Sequence, residues 1–161
     1  MDHVATVVEQ WHSERPDLDV SPLLVVGRIH RIAQALTPEL VEVYARHGLG
    51  EGDFDVLATL RRQGHPYALT PSQLVERTMV TSGAVSKRVD RLAERGLVVR
   101  RPRLSDRRSV MVALTTKGRR VIDAAMEEHV ANEARLLDGL DPAERAALGA
   151  LLATLATSLG V

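Results

Sequence analysis

The run from residue 69 to residue 96 constrains this chain more than any other stretch of it. Thr70-Pro71-Ser72-Gln73 has the form of an N-cap, a first-turn proline and a capping-box glutamine, so a helix is predicted to start here and end near Arg77. The three residues 78–80 leave room only for a turn. Thr81 is placed to cap a second helix, with Val80 and Val85 at the two positions of a hydrophobic staple. Val85, Val89 and Leu92 recur at i, i+4 and i+7, which gives that helix one buried stripe, and Gly96 stops it at the C′ position. Two short, separately capped helices joined by so tight a turn define a helix-turn-helix.

After Gly96 the apolar period changes. Residues 97–101 and 109–114 are short runs rich in β-branched side chains, separated by a polar stretch at 102–108, and they predict a two-stranded hairpin with a long tip. Thr115 or Thr116 then caps a long helix carrying Val121, Ile122, Ala125, Val130, Leu136 and Leu137. Asp141-Pro142-Ala143-Glu144 opens a last helix with Leu148, Leu151, Leu152, Leu155 and Leu159 along it. Upstream, Val4, Val7, Val8 and Trp11 suit a short helix, and Ser21-Pro22 opens a longer one with Leu24, Val25, Ile29, Ile32 and Leu36. Thr37-Pro38-Glu39 is expected to break, kink or restart that helix. Gly48 and Gly50 stop it, and another helix is expected from about Gly52 to Arg62.

The expected fold class is therefore mainly α with a small β-hairpin wing, a winged helix-turn-helix forming one compact unit. The expected division is N-terminal helices at 1–50, the winged helix-turn-helix at 51–115 and C-terminal helices at 116–161. No run approaches the ~18 apolar residues of a membrane span, and no basic-then-apolar leader opens the chain, so a cytoplasmic protein without membrane contact is expected. The absence of cysteine excludes disulfides, thiol chemistry and zinc fingers. With only four aromatic residues, the chain is poorly equipped to grip single strands by stacking.

A net charge of zero conceals strong polarity. Residues 87–120 hold twelve Lys or Arg against three acids, a surplus of nine, and the remainder carries nine basic against eighteen acidic residues. Such a chain presents a local polyanion-binding surface on an acidic body. Thr81, Ser82, Gly83, Ser86 and Lys87 put small and polar groups at the start of the second helix, where a recognition helix meets base edges and phosphates. Lys87, Arg88 and Arg91 are expected to flank its exposed face. The hairpin tip, with Arg103, Asp106, Arg107 and Arg108, suits a neighbouring minor groove, with Asp106 holding an adjacent arginine.

The segments Leu69-Thr70-Pro71-Ser72-Gln73-Leu74, Val80 through Leu92, Gly96-Leu97-Val98, Asp106-Arg107-Arg108 and Leu114-Thr115-Thr116-Lys117-Gly118 together resemble the MarR family of winged helix-turn-helix regulators. The resemblance covers nearly the whole chain. It implies a homodimer that binds double-stranded DNA at a pseudo-palindrome and answers to a small-molecule ligand. The leucine-rich last helix independently favours a second copy as partner.

Residues 11–19, with Arg28 and Arg31, and the run Asp53-Phe54-Asp55-Val56-Leu57-Ala58-Thr59-Leu60-Arg61-Arg62 resemble the urate-responsive branch of that family, which has an extra N-terminal helix. The likeness implies that Trp11, Asp55 and Arg88 line a ligand site and that Arg100, at the base of the wing, couples it to DNA binding. A flat anion such as urate or a phenolic acid wants an aromatic wall, a guanidinium and a fixed acceptor. The competing reading makes Trp11 a plug of the dimer core, Asp55 a structural partner of an arginine, and Arg88 a phosphate contact.

No phosphate loop, nucleophile elbow or triad-like grouping suggests an enzyme, and no cofactor is implied. His129 and Glu133, four residues apart and next to Glu127 and Glu128, leave a metal-responsive regulator conceivable, as His3 and His12 do more weakly. A solvated helix face is the simpler account, and no metal ligand is assigned. An architectural DNA-binding protein without effector is the other alternative.

Overall fold

A computed structural model of the chain describes residues 2–78, 82–103 and 106–161, with backbone alone at 82–84, 103 and 106–109. Its elements run α1 (His3–Glu14), α2 (Pro22–Arg46), α3 (Glu51–Arg62), β1 (Ala68–Leu69), α4 (Pro71–Arg77), α5 (Ser82–Glu94), β2 (Val98–Arg103), β3 (Asp106–Leu114), α6 (Thr116–Leu136) and α7 (Pro142–Leu159). Internal packing divides them into two units, Met1–Glu39 and Leu40–Val161.

In the first unit, Asp2 caps α1 by accepting the Val4 N–H at 3.0 Å, and it receives the Arg28 Nε of α2 at 2.6 Å. The Arg28 guanidinium holds the Asp2 carboxyl below the usual carboxylate range. Val4 is buried against Gly27, where an added Cβ would lie 3.0 Å from Val4 Cγ1. Of the break, kink or restart expected at Thr37-Pro38-Glu39, the break and the restart are corrected: α2 runs continuously through Pro38. An interior proline costs about 3 kcal/mol, and here the helix is long on both sides, with Val43 and Tyr44 buried beyond it. The proline still marks a boundary, because the two units divide just after Glu39.

The second unit is built around Leu57, Leu60, Leu74, Leu92, Leu97 and Ile122, all at or near zero exposure. The stripe read from the sequence is buried as expected, with Val85, Val89 and Leu92 at 1%, 3% and 0% exposure. α3 opens one residue earlier than expected, at Glu51. The sheet has three strands in the order β1-β3-β2, all antiparallel. β1 pairs Ala68 with Ala113 and Leu69 with Val112, and two residues are too few for any alternating pattern to reveal.

β2 and β3 pair from Val98↔Leu114 out to Arg103↔Asp106, with an irregularity at Pro102/Arg103. Of the tip expected at 102–108, Pro102, Arg103 and Asp106 are paired backbone, and residues 104–105 lie outside the described residues. Apolar alternation ends earlier because a projecting ribbon needs no apolar face beyond the core.

The Leu-Thr-x-x-Gly run ties this hairpin to α6. Thr115 Oγ1 accepts the Gly118 N–H at 2.9 Å as N-cap and donates to the Gly96 carbonyl at 2.7 Å. The Thr115 N–H donates to the Leu97 carbonyl at 3.1 Å. Gly118 lies so close to the same carbonyl that a Cβ would fall 1.9 Å from its oxygen. α7 opens at Asp141-Pro142 as expected, and Asp141 and Glu144 form a capping box there. None of its residues is buried, and Leu151 and Leu159 are 70% and 69% exposed. Among the described residues no helix is long and apolar enough to cross a membrane.

Candidate nucleic-acid interface and effector site

The frame of the interface forms as its sequence dictates. Thr70 Oγ1 accepts the Gln73 N–H at 3.2 Å, and Gln73 Oε1 accepts the Thr70 N–H at 3.0 Å, so both capping-box bonds are made. α4 buries Leu74, and α5 follows from Ser82, while residues 79–80 of the expected turn lie outside the described residues. Thr81 lies outside the described residues, as do the side chains of Ser82, Gly83, Arg103, Asp106, Arg107 and Arg108. Of the expected DNA-facing groups whose side chains are described, Ser86, Lys87 and Arg91 are exposed on α5.

Arg91 is also held from beneath. Its Nη2 donates to Asp53 Oδ1 at 2.9 Å, and Arg95 Nη1, one turn on, stands 3.5 Å from Asp53 Oδ2. The Asp53 side chain is 7% exposed, whereas that of Arg91 is 60% exposed. Arg95 Nη2 also donates to the Gly48 carbonyl at 2.8 Å, and Lys117 Nζ to the Arg95 carbonyl at 2.9 Å. On the wing side, Arg100 Nη1 pairs with Asp90 Oδ1 of α5 at 2.6 Å. Arg100 therefore joins β2 directly to the recognition helix. A cavity of about 50 Å³ beside it is lined by Pro71, Val75, Val85, Ser86, Val89 and Val112.

Arg88 departs from expectation. It does not share the exposed face with Lys87 and Arg91 but is half-buried over Gly52 of α3. A Cβ at Gly52 would lie 2.0 Å from Arg88 Cζ, so only glycine leaves the guanidinium this berth. The reason is helical geometry: Arg88 follows Val85 by three residues and precedes Leu92 by four, at the margin of the buried stripe. Arg88 Nη1 is buried and has no hydrogen-bond partner among the described residues.

Asp55 lies half-buried on α3, three residues beyond Gly52 and so on a neighbouring part of the same face. Tyr44 and Phe54 stack at 4.2 Å between ring centroids, and His129 packs at 5.5 Å from the first and 4.9 Å from the second. Burial pushes the Tyr44 phenol above its usual range, and the charges of Glu133, Glu51 and Asp55 add to the shift. This aromatic group escaped the sequence reading. The available signal was Tyr44 and Phe54 flanking the Gly48–Gly50 turn, across which their rings stack.

His129 Nε2 pairs with Glu133 Oε1 at 3.2 Å. Among the described residues no cluster of three or more His, Cys, Asp or Glu could hold a metal ion. Trp11 stands on α1 of the N-terminal unit and is 49% exposed.

A capped helix, a basic second helix and a two-stranded antiparallel wing define a winged helix-turn-helix, the framework of DNA-binding regulators. The chain belongs to the MarR family of transcriptional regulators. The MarR family profile matches residues 47–109. The HTH-type transcriptional regulator PecS of Dickeya dadantii (strain 3937) is 43% identical over 149 residues, covering 92% of this chain and 90% of that protein. A mutant E. coli MarR complexed with operator DNA superposes with a TM-score of 0.72 at 28% identity, over 86% of this chain and 99% of that one. Bordetella bronchiseptica BpsR, whose DNA binding is regulated by 6-hydroxynicotinic acid, gives a TM-score of 0.71 at 28% identity, over 82% and 92%.

Proposed function

We propose that the chain is a cytoplasmic, homodimeric repressor that leaves a pseudo-palindromic operator when it binds a small aromatic anion, urate first among candidates and a phenolic acid next. The observation that carries this reading is Arg88. A recognition-helix guanidinium lies against α3 with a buried donor unused, where an anion could take it, rather than among the exposed cations of α5. Asp55, on the neighbouring part of α3, offers an acceptor for the N–H groups of such a ligand, and the family resemblance adds Trp11 to the ligand-binding set. Regulation of the similar BpsR by an aromatic acid supports the same ligand chemistry.

An anion that draws Arg88 draws the recognition helix with it, and the DNA affinity falls by the coupling energy, about 1–3 kcal/mol in typical cases. Thr81, Ser82, Gly83, Ser86, Lys87 and Arg91 with the wing residues Arg103, Asp106, Arg107 and Arg108 contact DNA in this scheme, and Arg100 transmits the change through Asp90. The division of labour is 1–50 for dimerisation and ligand, 51–115 for DNA and 116–161 for dimerisation. The leucines exposed along α7 favour a second copy as their cover.

The test is a urate titration of the fluorescence of Trp11, the sole tryptophan, corrected for absorbance by urate and paired with operator release. Saturable quenching that Asp55→Ala weakens, with DNA binding spared, supports the site. A flat titration removes urate and turns the search to phenolic acids. Truncation after Gly139 should abolish the dimer, and a stable, soluble monomer would contradict the role given to α7.

A further inference from the structure

We propose that Asp53 is a positioning residue for operator recognition: it sets the axial and rotational register of the recognition helix by dividing its two carboxylate oxygens between Arg91 and Arg95. Arg91 lies in the last turn of α5 and Arg95 follows directly after Glu94, its N–H donating to the Arg91 carbonyl at 3.1 Å, so the two stand about 6 Å apart along the helix axis. Oδ1 takes Arg91 Nη2 at 2.9 Å, and Oδ2 faces Arg95 Nη1 at 3.5 Å. A helix slid or rotated by one residue loses both links at once.

Asp53 is itself buried and anchored. It is the N3 residue of α3, its Oδ2 accepts the Gly50 N–H at 3.3 Å, and only 5% of the residue is exposed. Arg95 is gripped further by the Gly48 carbonyl, so the anchor consists of the α2–α3 turn and the first turn of α3 together. Arg91, in contrast, keeps most of its side chain in solvent, on the surface assigned to DNA. Its guanidinium therefore reaches the duplex from a fixed origin rather than from a freely swinging stem, and geometry of that kind separates base readout from general attraction to phosphate.

This role concerns the DNA-binding activity itself and does not depend on the identity of any effector. Asp53→Asn keeps a side-chain oxygen for the Gly50 N–H and removes the charge that holds the arginines. The probes are a duplex enriched from a random pool by the wild-type protein and a scrambled duplex of the same composition. For Asp53→Asn, binding to the scrambled duplex should hold or rise, because a cation is released. Preference for the enriched duplex should fall about tenfold, the worth of one well-placed base contact.

In an Arg91→Gln/Arg95→Gln background, adding Asp53→Asn should change nothing further. A purely structural acid would instead weaken both duplexes equally and add to the arginine changes, and either result overturns the proposal. If Asp53→Asn does not fold, Arg91→Lys/Arg95→Lys reads the same link from the other side. It keeps the charge and loses the guanidinium hold, so undiminished preference for the enriched duplex would equally refute the role.

Discussion

Replacing Gly52 by alanine separates the berth of Arg88 from the stability of the protein. The new Cβ would fall 2.0 Å from Arg88 Cζ, 2.1 Å from Nε and 2.5 Å from Nη1, where ordinary contact begins near 3.4 Å. The guanidinium must retreat by about 1.5 Å, and as the end of a flexible side chain it can do so. Alanine gains up to about 1 kcal/mol over glycine in a helix. Exposing Nη1 to water relieves part of an unsatisfied donor, a cost of about 1–3 kcal/mol when buried; lost packing of the arginine stem offsets some of this. The net change lies between about 0 and +2 kcal/mol, which for a chain of this size leaves the melting temperature unchanged or raises it by a few degrees. Effector response should suffer instead, with the urate concentration needed for half-release of DNA rising about tenfold, the equivalent of about 1.4 kcal/mol. Thermal melts and operator titrations with and without urate read both quantities. A melting temperature lowered by more than about 5 °C would show that Arg88 cannot leave. An unaltered urate response would show that its berth is no part of the site.

Three further outcomes are expected. Gly118→Ala drives a Cβ to 1.9 Å from the Leu97 carbonyl oxygen; because that obstacle is backbone and the Thr115 cap shares the junction, stability should fall by about 3 kcal/mol in a denaturant titration. Tyr44 is held above its ordinary pKa by burial and three acids, so between the unfolded value near 10 and the folded one the unfolded chain ionises first and stability falls as pH rises. Tyr44→Phe should flatten that alkaline fall in melts from about pH 9 to about pH 12; an identical decline would exonerate the tyrosine. Arg107→Ala should weaken operator binding and reduce the slope of log affinity against log salt by about 0.9, one phosphate contact; unchanged affinity would remove Arg107 from the interface.

The helical frame was legible because its boundaries rest on local chemistry. Thr70 with Gln73 and Asp141 with Glu144 form the reciprocal bonds their spacing implies, and Thr115 caps α6 alone. The stripe at Val85, Val89 and Leu92 needs only helical periodicity. What escaped depends on partners distant in sequence. β1 exists only because β3 supplies its hydrogen bonds, and α2 passes Pro38 because turns on both sides outweigh one lost bond. The position of Arg88 is decided by a missing side chain 36 residues earlier, at Gly52. Periodicity placed Arg88 beside the stripe but could not reveal that α3 leaves a space for it.

The same long-range pairing changes what the basic segment at 87–120 means. Its surplus of nine charges invites the inference that most of its cations meet phosphate. Arg91 and Arg95 are instead shared on Asp53, Arg100 is matched by Asp90, and Lys117 reaches the Arg95 carbonyl. Asp53 lies outside the segment, so a local count never sees the single negative charge that two of its arginines share. Cations already neutralised within the fold release fewer counterions on binding DNA than free ones. The salt dependence of operator binding should accordingly be shallower than twelve cations per protomer would give. Asp53→Asn should steepen it by unmasking Arg91 and Arg95, even as sequence preference declines. A slope that stays the same in that variant would mean that both arginines face phosphate as fully with Asp53 as without it, and that the internal pairs exert no hold on the recognition helix.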